Sequence, residues 1–187
     1  MIKQVIFLTA GAMMSASFFC LFFPVVAQSA VFTQSDDSHF DIQRLKEKRE
    51  ALPFSLKSLG GKQVSLGDFK GKPVMLFFWA CWCGSCTDEL PVIEKFSAGK
   101  KDQLAILTIA IDGEKESRIE RFVKKKNITL PVLLDVKEKV ARSYGVTMVP
   151  ATFFIDREGF IIGMIRGERD WSSKEAWPAI KDFFSLR

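Results

Sequence analysis

Residues 74–80, VMLFFWA, form an apolar run with the length and composition of a strand buried on both faces. The run breaks at Cys83-Gly84-Ser85-Cys86 and resumes as TDELPVIEKF, whose apolar spacing predicts an amphipathic helix. A Cys-x-x-Cys at a strand-to-helix junction places its first thiol at a helix N-terminus. The free backbone N–H groups and the positive end of the dipole favour a thiolate there.

Such a pair also serves in zinc sites, in iron–sulfur clusters and as a structural disulfide. Zinc takes four ligands, usually from two pairs. The chain has four cysteines and one histidine: Cys20 lies in the N-terminal apolar stretch, Cys81 adjoins the motif, and His39 is far from it. A cluster on Cys81, Cys83 and Cys86 lacks a fourth thiolate. A structural disulfide across one helical turn closes too small a loop to be useful. Redox exchange is the chemistry that these residues suit best.

The chain of 187 residues allows one domain and a leader. Lys3 precedes a nearly uncharged apolar stretch that ends in Pro24-Val25-Val26-Ala27-Gln28-Ser29-Ala30, the layout of a secretory signal cleaved after Ala27. The stretch also approaches the roughly 20 residues that span a bilayer, so an uncleaved N-terminal anchor is the alternative. Either version exports the domain. Three cysteines then remain, an odd number from which no framework of structural disulfides can be built. The net charge of +5 is scattered. Its densest runs, Lys124-Lys125-Lys126 and residues 44–49, are expected on solvated helix faces, with no nucleic-acid partner.

The expected organisation is a signal peptide or anchor over residues 1–27, a flexible and partly helical lead-in over 28–51, and one domain over 52–187. Within the lead-in, residues 42–52 are expected to form a short charged helix. Residues 54–66 predict a β-hairpin turning at Gly60-Gly61, with positive φ at both glycines. Pro91 is expected to kink or break the helix that follows the cysteines. Further on, strands at 104–111 and 131–134 alternate with helices at 116–126 and 137–144. Strands at 152–155 and 160–166 flank the turn Asp156-Arg157-Glu158-Gly159, and a helix over 172–184 closes the chain. This pattern is α/β, a mixed central sheet with helices on both faces.

Phe78-Trp79-Ala80-Cys81-Trp82-Cys83-Gly84-Ser85-Cys86 resembles the active-site signature of thioredoxin-fold proteins. Val146-Thr147-Met148-Val149-Pro150-Ala151-Thr152-Phe153-Phe154-Ile155-Asp156 is similar to their second signature, a loop bearing a cis-proline. The N-terminal hairpin, the segment Asp68-Phe69-Lys70-Gly71-Lys72-Pro73 and the extra helix–strand unit between the signatures resemble the extracytoplasmic branch. That branch comprises TlpA-like and ResA-like proteins and the cytochrome c maturation thioredoxins.

The resemblance implies a thioredoxin-like fold and a thiol:disulfide oxidoreductase with no metal or organic cofactor. It makes Cys83 the attacking thiolate and Cys86 the resolving thiol. Gly84 and Ser85 become the tuning dipeptide and Trp82 a shield over the site, while Trp79 either shares that shield or packs in the core. Pro150 is implied as the cis-proline and Val149 as a backbone contact for an extended substrate. Glu89 becomes a carboxylate that influences the proton chemistry of the pair. Cys81, where the family usually has a small or hydroxyl residue, is either an inert thiol or a partner in a side disulfide.

The implied partners are a protein disulfide substrate, such as the haem-attachment cysteines of apocytochrome c, and a membrane thiol-reducing electron donor. The implied location is periplasmic or otherwise extracytoplasmic. A disulfide-forming oxidant or isomerase, a peroxiredoxin-like peroxidase and a copper-binding chaperone remain the rival readings on this fold.

Overall fold

The computed structural model describes residues 40–186. The expected leader, with Cys20, and the lead-in up to His39 lie outside the described residues. Among the described residues, no helix is long and apolar enough to cross a membrane.

The run after Pro73 is the central strand β4 (Val74–Trp79), and all six of its residues are buried. An apolar strand without alternation needs cover on both faces, and it finds it in the middle of a six-stranded mixed sheet. On one side β4 pairs in parallel with β5 (Ala105–Ala110), from Val74 opposite Ala105 to Trp79 opposite Ala110. On the other it pairs antiparallel with β7 (Ala151–Ile155), from Val74 opposite Ile155 to Phe78 opposite Ala151. Beyond β5 lies β6 (Val132–Leu134), and beyond β7 come β8 (Phe160–Arg166) and β1 (Gln43–Glu50). A separate hairpin, β2 (Ser55–Lys57) with β3 (Gln63–Ser65), turns as expected, although of the two glycines only Gly61 has positive φ.

Successive side chains of a strand point to opposite faces, and the helices follow that alternation. On the face of Trp79, the indole packs 5.4 Å from the Phe122 ring of α2 (Glu116–Lys126). On the same face Phe154, the register partner of Met75, meets Phe183 of α4 (Ala176–Phe183) at 5.3 Å. On the opposite face Phe78 and Phe153 meet Tyr144, just past α3 (Lys139–Ser143), at 5.7 and 5.5 Å. The sheet is covered on both sides, as the sequence pattern predicts.

Residues 43–50 depart from expectation: they form a strand, not a charged helix, and it belongs to the domain's sheet. β1 pairs antiparallel with β8, and a register irregularity separates Arg44 from Arg49. Seven of its eight residues are exposed. An edge strand needs no apolar alternation, and rows of Lys, Arg and Glu guard it against pairing with another chain. The basic run here is therefore a solvated strand, whereas Lys124–Lys126 does lie exposed at the end of a helix.

Two helices are shorter than predicted. Before α4, Asp170 Oδ1 accepts the backbone N–H of Ser172, and Ser173 Oγ accepts that of Glu175. These local bonds hold residues 170–175 in turns. Before α3, Lys137 and Glu138 have positive φ, and buried Asp135 accepts the N–H groups of Val140 and Ala141 at 3.1 and 2.8 Å. Pro91 does not break its helix, α1 (Gly84–Ser97). Cys86, Glu89, Leu90, Ile93 and Phe96 recur on one buried face across the proline, and that packing outweighs one lost backbone bond.

Candidate active site

α1 begins directly above the C-terminal end of β4. Cys83 is its N-cap, with extended backbone (φ −89°, ψ 108°), and its Sγ accepts the backbone N–H of Cys86 at 3.2 Å. The two cysteines are joined as a disulfide, with Cα atoms 5.3 Å apart. Cys86 is fully enclosed, while Cys83 keeps 8% of its surface open. Ser85 Oγ lies 3.5 Å from Cys83 Sγ, and a Cβ at Gly84 would meet no atom within 4 Å. The space beside Gly84 is therefore open, whereas Ser85 lies against the Cys83 sulfur.

The second signature closes on the first. The Val149–Pro150 peptide is cis, and the Val149 carbonyl oxygen stands 3.7 Å from Cys83 Sγ. The Pro150 carbonyl accepts the Gly167 N–H at 2.9 Å, which ties this loop to the end of β8. The neighbours of the two meeting residues are exposed apolar side chains: Trp82 at 58% and Met148 at 54%. Trp82, next to Cys83 in the chain, stands at the surface. Of the two readings of Trp79, core packing is the one observed: it is wholly buried against α2. Met148 escaped the sequence reading, though its place beside Val149 was a usable signal.

Glu89 lies three residues after Cys86 on the same buried face of α1 and is only 5% exposed. Its Oε1 accepts two hydrogen bonds, from the Trp171 indole N–H at 2.5 Å and the Arg169 backbone N–H at 3.2 Å. Its Oε2 is buried with no hydrogen-bond partner among the described residues. Burial pushes the Glu89 carboxyl up to about 7, against the lowering effect of the Trp171 and Arg169 donors. Neither Trp171 nor Arg169 is marked by any sequence pattern.

Cys81 keeps a free thiol and is half-buried. Its N–H donates to Asp112 Oδ2 at 3.1 Å, and the Arg118 guanidinium donates to its carbonyl at 3.3 Å. Burial, helped by the Asp112 carboxylate, pushes the Cys81 thiol up to about 11, so it stays protonated at neutral pH. Asp112 is itself buried and has its pKa raised by burial, with Oδ1 unpartnered among the described residues. Its bond to the Cys81 amide fixes the turn that leads into Cys83.

A family model of the AhpC/TSA family matches residues 47–164. The thiol-disulfide oxidoreductase ResA of Bacillus thuringiensis subsp. konkukian is 34% identical over 68% of this chain and 73% of its own. Among solved structures, a thiol:disulfide interchange protein DsbE from Chlorobium tepidum superposes with a TM-score of 0.67. It is 28% identical, over 75% of this chain and 99% of that one. The pneumococcal exposed lipoprotein thioredoxin of Streptococcus pneumoniae is 32% identical over 70% of this chain and 99% of its own, with a TM-score of 0.62. The chain belongs to the AhpC/TSA family, and within it is a thiol-disulfide oxidoreductase of the ResA/DsbE type with a thioredoxin-like fold.

Proposed function

We propose that this protein is an exported reductase of protein disulfides that works through Cys83 and Cys86. The observation that carries the reading is the buried Glu89 carboxyl, on the face of α1 that also holds Cys86 and with a pKa near 7. A reductase must ionise an enclosed resolving thiol, and solvent cannot reach Cys86 to do so.

In the first step the Cys83 thiolate, favoured by the Cys86 N–H and the helix N-terminus, attacks one sulfur of the substrate disulfide. A Cys83–substrate disulfide forms, and the other substrate sulfur leaves as a thiolate that takes a proton from water. In the second step Cys86 gives its proton to ionised Glu89, and its sulfur attacks Cys83 Sγ. The Cys83–Cys86 bond forms, the second substrate sulfur leaves as thiolate, and the substrate is reduced by two electrons. A membrane thiol-reducing donor then returns two electrons to the pair; Cys83 is released as the thiolate, and the proton held on Glu89 goes back to Cys86.

Trp82 and Val149 receive the substrate, the first by apolar contact and the second through its carbonyl, in the manner of strand addition. Gly84 leaves room for the incoming sulfur, Ser85 lies against the Cys83 sulfur, and Pro150 shapes the loop opposite. Residues 1–27 deliver the domain outside the cytoplasm, as a cleaved signal or an anchor. The haem-attachment cysteines of apocytochrome c are the substrate class that suits an exported reductase in an oxidising compartment.

The test is an equilibrium redox titration of the purified protein against dithiol buffers, read by alkylation and mass spectrometry. A Cys83–Cys86 couple at or below about −250 mV supports the reductase. A couple near about −120 mV belongs to a disulfide-forming oxidant and overturns it.

A further inference from the structure

Behind the cysteines a bracket is built around one oxygen of Glu89. The loop that follows β8 turns back so that Arg169 presents its backbone N–H and Trp171 its indole N–H to the same Oε1. Trp171 is 2% exposed and cannot move freely. Phe40 packs edge-on against its ring at 4.9 Å, and Phe96 of α1 lies 5.2 Å away. Arg169 is pinned in turn, since its guanidinium donates to the Asp41 carboxylate at 2.8 Å. The loop that holds Glu89 is therefore braced by Phe40 and Asp41, just before β1.

We propose that Trp171 is a positioning residue for thiol–disulfide exchange: its indole N–H, fixed between Phe40 and Phe96, engages Oε1 of Glu89 and so leaves Oε2 as the oxygen that exchanges a proton with Cys86. The inference rests on the acid–base role proposed for Glu89. Two donors on one oxygen consume its lone pairs and fix the carboxyl plane. The remaining oxygen is buried and has no partner among the described residues, the condition in which a proton taken from a neighbouring thiol is best retained. Donation to the ionised form also limits how far burial raises the carboxyl pKa, so that the group is ionised for a useful fraction of the time near neutrality.

The charged groups acting on Glu89 from the loop are Glu168, which raises its pKa, and Arg169, which lowers it and is paired with Asp41. On α1 itself the ionisable neighbour on the buried face is Cys86, one turn back. Across the aromatic layer, Lys100 stands over the rings of Phe96 and Trp177, at 4.8 and 5.3 Å from their centroids.

The experiment compares pH profiles of disulfide reduction for the wild type, Trp171→Phe, Glu89→Gln and the double variant. Phenylalanine keeps the aromatic packing and removes only the donor. Glu89→Gln is expected to abolish the limb on which the rate rises with pH through neutrality. Trp171→Phe is expected to move that limb upward by roughly one to two pH units, because a hydrogen bond to the ionised form is lost. In the Glu89→Gln background it should shift nothing.

If Glu89→Gln removes the limb and Trp171→Phe leaves it in place, the positioning role is wrong and the acid–base role stands. If Glu89→Gln leaves the limb intact, the acid–base role itself is wrong. A second measurement needs no Trp171 variant. The indole N–H resonance of Trp171 in the reduced wild-type protein should titrate with the midpoint of the kinetic limb and be flat in Glu89→Gln. A resonance that ignores pH in the wild type overturns the proposal.

Discussion

Cys83 Sγ and the Val149 carbonyl oxygen stand 3.7 Å apart although 66 residues separate them in the chain. The contact joins the two loops at the ends of neighbouring antiparallel strands, β4 and β7, so that a sulfur and a backbone acceptor face the same opening. The residues next to each in the chain, Trp82 and Met148, are exposed and apolar. On the proposed reading, a polypeptide that lays a cysteine against Cys83 meets the Val149 carbonyl and both side chains together.

That surface should distinguish protein from small-molecule disulfides. Trp82→Ala is expected to raise KM for a peptide disulfide about ten-fold, the cost of losing one aromatic anchor, with Met148→Ala acting in the same direction. Reduction of a small aliphatic disulfide, which cannot reach either side chain, should change little. Parallel steady-state assays on the two substrates check this.

Glu89 gives the stability a pH dependence whose sign can be worked out. Its folded-state pKa of about 7 lies above the ordinary 4.5. Below the ordinary value both states are protonated and the group contributes nothing. Between the two, the folded state holds a proton that the unfolded state has lost, so stability falls as pH rises, by about 3 kcal/mol in all. Above about 7 the penalty is constant. Asp112, also raised, adds a slope of the same sign, while the lowered Glu94 and Asp156 oppose it. The difference between Glu89→Gln and the wild type isolates the Glu89 part, and denaturant melts from pH 4 to pH 8 should show the variant gaining relative stability through that window.

Cys81 is expected to be dispensable. It is outside the disulfide, and its thiol is protonated near neutrality. Cys81→Ser should leave the rate of disulfide reduction within about two-fold of the wild type, because hydroxyl and thiol are close in size and the backbone bond to Asp112 is retained. Stopped-flow reduction assays of the two proteins decide it.

Gly163 of β8 lies against Phe183 of α4 and the backbone of Gln43 in β1. A Cβ there would lie 2.4 Å from Phe183 Cζ and 3.0 Å from the Gln43 carbonyl oxygen. Gly163→Ala should therefore cost about 1–3 kcal/mol as Phe183 is pushed off the sheet. The loss should appear as a lowered midpoint in thermal or urea unfolding, with the cysteine chemistry of the folded protein intact.

The central strand, the helix after it and the disposition of Cys83 and Cys86 were legible because each is written locally. VMLFFWA is apolar throughout, and the cysteines punctuate a change from strand to helix. β1 was not legible, because an edge strand paired on one side carries no alternation and its charges resemble those of a solvated helix. Lys137 and Glu138 hid another departure: their positive φ is set by Asp135, which draws the N–H groups of Val140 and Ala141 to itself. Glu89 was singled out by its place one helical turn after Cys86 and by its family position. What surrounds it depends on Trp171, 82 residues further on, and on Phe40 and Asp41 at the other end of the domain. Contacts between side chains so distant leave no periodicity to read.

The central claim, exchange through a covalent intermediate on Cys83 that Cys86 resolves, is tested most directly by trapping. Cys86→Ser should accumulate a mixed disulfide with a model peptide disulfide. Peptide mapping by mass spectrometry should place the link on Cys83, and steady-state turnover should fall on the order of a thousand-fold. A link on Cys81, or a Cys86→Ser protein that turns over at the wild-type rate, would contradict the account.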